Sequence, residues 1–235
     1  MKKSIKKAFT LAEIIFVMGI IGIVATLTVT NAKKDTDVAE KVSQLRKTDE
    51  ILSTAFAQAV SENGNLLTWA EDSKYRPSNK EVWDVVSPYL KFKKDCGTST
   101  GCWKSGGASK IPSSTLETNI NIDNWSSYKG ILTNGASILF DYSLAGSNMT
   151  AVLVDVNGPN KGTYRFGDDI FLFVVSDDGQ VEPFGFEFRQ GDDLLNGCIT
   201  EKGTYCTAWV LQFGNQDYLK GCRNRLSWNG PQTCR

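Results

Sequence analysis

The chain has 235 residues, 41% of them apolar and 22% charged, with 26 basic residues balancing 26 acidic ones and no histidine. That balance is unlike a nucleic-acid binder, which carries a basic face, so no nucleic-acid partner is expected. Without histidine, Ser-His and Cys-His triads and histidine-based metal motifs are impossible; neither Gly-x-Ser-x-Gly nor a Walker-type phosphate loop occurs, and no enzyme is expected.

In chain order, Lys2, Lys3, Lys6 and Lys7 precede Ala8, and from Phe9 to Thr30 the sole ionisable residue is Glu13. As a helix rising roughly 1.5 Å per residue this stretch covers about 33 Å, enough for a hydrocarbon layer near 30 Å. The leading lysines keep residues 1–8 cytoplasmic and send Lys33 onward across the membrane. A carboxylate inside such a span costs roughly 2.5–3.5 kcal/mol unless it meets a partner, so Glu13 predicts one.

Ala8-Phe9-Thr10-Leu11-Ala12-Glu13 and the apolar run behind it closely resemble the N-terminal signal of type IV pilins and type II secretion pseudopilins. The resemblance covers residues 2–30. It implies that a prepilin peptidase of the bacterial inner membrane cuts between Ala8 and Phe9 and methylates the new terminus. It further implies that Glu13 meets the terminal amine of a neighbouring subunit during filament assembly, each charge offsetting the desolvation of the other. The implied partners are other copies or homologous pilin subunits, the peptidase and an inner-membrane assembly platform. Ala8 stands where the family usually has glycine, and the proline that many major pilins carry near Thr30 is missing, although Gly19 and Gly22 loosen this helix. The alternatives are an ordinary secretory signal, for which the apolar run is too long and Thr30-Asn31-Ala32 a poor cleavage site, and a membrane-anchored binding module or adhesin that uses the same anchor.

Residues 31–62 continue without glycine or proline, and Val38, Val42, Leu45, Leu52, Phe56 and Ala59 recur at helical steps among charged neighbours, which predicts an amphipathic helix continuous with the span. Asn63-Gly64-Asn65 ends it. Residues 63–235 suffice for one globular domain. Within it the patterns predict a short helix over 81–90, an irregular loop over 95–124, strands over 137–142, 150–156 and 170–175, a hairpin turn at Asp177-Asp178-Gly179 and a helix over 206–219. The fold class expected is therefore α+β. A long N-terminal helix packed on an antiparallel sheet is also the layout that the pilin resemblance implies.

Cys96, Cys102, Cys198, Cys206, Cys222 and Cys234 all lie on the translocated side, where an even count points to disulfides. Connectivity stays open. Cys96 with Cys102, which flank Gly97 to Gly101, is the first pair expected; Cys198 with Cys206 and Cys222 with Cys234 are candidates. A zinc site is disfavoured by the lack of histidine and of Cys-x-x-Cys. Asp155, Asn157, Asp168 and Asp169 gather hard oxygen donors around glycine-bent turns, a pattern suited to calcium and similar to the calcium loop of some major pseudopilins. The same residues read more commonly as solvated turns between strands. Calcium is thus the one candidate cofactor. Once residues 1–8 are removed, 22 basic residues face 26 acidic ones, for a net charge near −4.

Overall fold

The computed structural model describes residues 11–72, 74–108, 120–141, 144, 149–186, 190–200 and 203–234, with side chains of 11–17 and 19–35 outside the description. Helix α1 runs Leu11–Asn63. Two compact units are distinguished, Met1–Glu40 and Lys41–Arg235. Among the described residues no helix is long and apolar enough to cross a membrane; in the apolar run 9–30 the side chains other than that of Met18, and for residues 9 and 10 the backbone too, lie outside the description.

In the second unit, six strands form one antiparallel sheet in sequence order: β1 (Phe92–Gly97), β2 (Tyr128–Leu132), β3 (Ser137–Phe140), β4 (Thr150–Asp155), β5 (Ile170–Val175) and β6 (Val181–Pro183). The α+β class is what the sequence predicts. Every residue of β4 and β5 is buried, which matches their unbroken apolar runs and means that both faces of these central strands are covered. Val42, Leu45, Leu52, Phe56 and Ala59 of α1 are all buried, whereas Val38 is half-buried. Phe56 reaches the sheet at Phe140, ring centroids 5.8 Å apart. At the helix end Gly64 takes a φ of 79°, and its N–H closes onto Val60.

Helix α2 (Asn79–Val86) starts at a capping box in which Ser78 and Glu81 satisfy each other's backbone N–H groups. It gives way to a 3-10 turn at Ser87–Tyr89 that accommodates Pro88, so the helix predicted over 81–90 is shorter and begins earlier. Its Trp83 packs on Phe92, Tyr128 and Phe140 at ring separations of 5.1, 5.8 and 5.3 Å. Helix α4 (Cys206–Phe213) ends at Gly214, whose φ is 66°, so the helix predicted over 206–219 is broken there and resumes as a 3-10 turn at Asp217–Leu219. Helix α3 (Asp192–Thr200) precedes it.

The irregular loop predicted over 95–124 is corrected in two places. Its first residues belong to β1, and its last form a 3-10 turn at Ile122–Asn124. β1 was illegible because Lys93, Lys94 and Asp95 are the residues of a solvated edge, where charge keeps a strand from pairing with another chain. β2 hides behind a lysine and a glycine. A Cβ on Gly130 would stand 2.5 Å from Phe92 Cε1, so the glycine makes room for that ring. β6 is three residues long and ends in Pro183, tolerable only at an edge. Beyond β6, the N–H of Leu172 on β5 donates instead to Thr207 Oγ1 of α4 at 3.0 Å, so the helix covers what the short strand leaves open.

Candidate functional site

The glycine-bent segment between β4 and β5 brings Asp155, Asn157, Asp168 and Asp169 together. Asp155 closes β4, and its Oδ1 accepts the N–H of Asn157 at 3.0 Å. Asn157 Nδ2 in turn donates to Asp169 Oδ1 at 2.7 Å. The other oxygen of Asp169 accepts the N–H of Tyr164 at 2.6 Å, which holds Tyr164 in the left-handed region at a φ of 55°, a position unusual for any residue with a Cβ. Thr163 Oγ1 lies 2.7 Å from Oδ2 of both Asp168 and Asp169. At Gly162 a Cβ would come within 2.4 Å of Asn157 Nδ2 and 2.7 Å of Asp169 Oδ2, so glycine is required where the loop wraps the carboxylate.

The charge partner comes from α1. Lys41 Nζ bonds Asp168 Oδ1 and lies 2.8 Å from Asp169 Oδ1. Burial works against the ammonium, but the hydrogen bonds and charges of Asp168 and Asp169 outweigh it and raise the Lys41 pKa above its ordinary value. From the other side, Gln216 Nε2 donates to the carbonyl of Asp168 at 2.7 Å, and the Tyr218 hydroxyl donates to that of Gly167. Helix, loop and C-terminal segment are thereby tied at one point. Lys41 was missed because it reads as one of several charges on an amphipathic helix. Its spacing carried the signal: Leu45, Thr48 and Leu52, four, seven and eleven positions on, are all fully buried, so Lys41 sits on the inward stripe and needs an anion there.

The four candidate calcium residues thus gather around an ammonium, with both oxygens of Asp169 already accepting from protein donors. Calcium takes six to eight oxygen ligands; among the described residues no group of three or more acidic, cysteine or histidine side chains converges to hold a metal. One atom stands apart. Asp155 Oδ2 is buried without a hydrogen-bond partner, and burial, reinforced by the charge of Asp169, pushes the Asp155 carboxyl well above the ordinary range against the opposing backbone hydrogen bonds.

No family model, curated protein or solved structure matches this chain.

The six cysteines form Cys96–Cys102, Cys198–Cys206 and Cys222–Cys234, the three local pairs named from their spacing. Ala8 and Phe9, the expected processing site, lie outside the described residues; Glu13 lies in α1, with its side chain outside them.

Proposed function

We propose that this chain is a pilin-like structural subunit of a type IV pilus or a type II secretion pseudopilus. The observation that carries the reading is the run Ala8-Phe9-Thr10-Leu11-Ala12-Glu13 ahead of an apolar stretch otherwise free of charge. A carboxylate at that depth is stable only beside a cation, and the span itself offers none. The amine exposed by cleavage before Phe9 on a neighbouring copy supplies it. Residues 9–30 then serve first as a membrane anchor, amino terminus inward, and later as the core of a filament, while the disulfide-bonded domain faces outward. The α+β architecture and the helix running from Leu11 to Asn63 are consistent with this reading and support it at the level of layout.

Glu13→Ala tests it in the native host. The variant should insert into the membrane as wild type does but be lost from sheared filaments, and mass spectrometry of the mature wild-type chain should find an N-methylated Phe9 terminus. A mature product beginning at Lys33 would overturn the proposal, as would normal filament incorporation of the variant. A monomeric adhesin on the same anchor would retain ligand binding with Glu13→Ala and leave no filament to shear.

A further inference from the structure

A cavity of about 610 Å³ opens beside the outer edge of the sheet, and its wall is built from Lys93, Lys94, Gly101, Trp103, Lys104 and Asp123, with Asn160 reaching it from the segment that joins β4 to β5. Two neighbouring residues of a regular strand point to opposite faces. Here β1 is bulged: Phe92 pairs with Leu132 and Lys94 with Ile131, so two steps on β1 answer one on β2. The bulge turns Lys93 and Lys94 into the same cavity, alongside their shared opposite residue Ile131.

The rest of the wall is held firmly. The Cys96–Cys102 disulfide closes the loop. Asp123, itself buried, accepts the N–H of Gly101 at 2.9 Å and that of Trp103 at 3.0 Å, so its charge is taken up by backbone dipoles. Lys94 Nζ donates to the Gly101 carbonyl at 2.9 Å. Gly101 has a φ of 100°, and a Cβ there would press to 2.8 Å from that ammonium. Lys104 Nζ stands 5.9 Å from the centroid of the Tyr164 ring.

We infer that this cavity binds a phosphate monoester carried by a small molecule. Three lysines line the cavity, and the one carboxylate among its lining residues already has its charge met, leaving an excess that matches a dianion better than a carboxylate ligand. A phosphate monoester carries about −1.5 to −2 at neutral pH and three acceptor oxygens, and lysine binds it as a point charge. A volume near 600 Å³ is that of a small-molecule site. A polyanion would need a basic track along the surface, whereas here three lysines line one cavity of a chain whose basic and acidic residues balance. The inference stands independently of filament assembly.

The test is a titration of the full chain in detergent micelles, followed by amide NMR, with glycerol phosphate as monoester and dimethyl phosphate as diester at constant ionic strength. Saturable shifts at Gly101, Lys104 and Ser105 are expected with the monoester, stronger at pH 7.5 than at pH 5.5 because its second proton leaves near pH 6. Combining Lys93→Ala with Lys104→Ala should weaken binding at least about tenfold while leaving the amide spectrum of the sheet unchanged. Linear, unsaturable shifts, or a variant that binds as wild type does, would overturn the site. An equal response to the diester would overturn the monoester assignment.

Discussion

Lys41, Asp168 and Asp169 show how a buried ionic group ties the start of the second unit to its sheet. Asp169 is fully buried and Asp168 nearly so, and removing the cation leaves two adjacent buried carboxylates that keep hydrogen bonds from the loop but lose the Lys41 counter-charge. Lys41→Ala should therefore lose about 3–5 kcal/mol, read as a lower urea midpoint, and Lys41→Met combined with Asp168→Asn should recover part of that loss. Because the Lys41 pKa is raised, this stabilisation is complete below the ordinary lysine value and disappears as pH climbs through the raised one. Asp155 follows the same sign, starting from the carboxyl range. Its raised pKa means that the folded protein holds the proton more tightly than the unfolded chain does. Stability is greatest below the ordinary carboxyl range and declines as pH rises towards the folded value. Asp155→Asn keeps an acceptor for the Asn157 N–H and carries no charge beside Asp169. Thermal melts at pH 8 should show it more stable than wild type by roughly 1–3 kcal/mol, with the difference shrinking at pH 4.

At the scale of elements, the α1–sheet contact and the α4–β5 contact are held by different chemistry. Phe56 is wholly buried against Phe140, so Phe56→Ala should cost about 3–5 kcal/mol in chemical denaturation through lost transfer energy and the cavity left behind. The α4 contact adds a hydroxyl that completes the hydrogen bonding of β5. Thr207→Val keeps the volume but leaves the Leu172 N–H without an acceptor, and it should destabilise by about 1–3 kcal/mol, whereas Thr207→Ser should lose less. Amide exchange at Leu172 distinguishes the two, accelerating in the valine variant. Both contacts join residues distant in sequence. The apolar stripe of α1 was readable from its own spacing, because a helix has to bury a continuous face somewhere. The role of Thr207 was not readable, since a threonine within an apolar helix gives no sign of which strand edge lacks a partner.

For the molecule as a whole, three short disulfides brace a domain built on one sheet. They close loops with separations of 6, 8 and 12 residues, and on a chain-entropy argument each contributes about 2–3 kcal/mol. Reduction should lower the thermal midpoint substantially, and a melt with and without reductant measures it. The local pairings could be read from the chain because cysteines this near in sequence are also near in space. The helical stripe through Phe56 and the turns at Gly64 and Gly179, whose φ values are 79° and 82°, were legible for the same reason: each depends on neighbours within a turn or two of chain. What needed the folded chain were features joining distant segments. Lys41 meets Asp168 across 127 positions. The bulge in β1 depends on which residues β2 sets opposite it, and β2 and β6 qualify as strands because β3 and β5 offer them edges to pair with, β1 then adding to β2. Local pattern states what a segment would bury or expose; the packed sheet selects the partner, and with it the charges that end up facing each other.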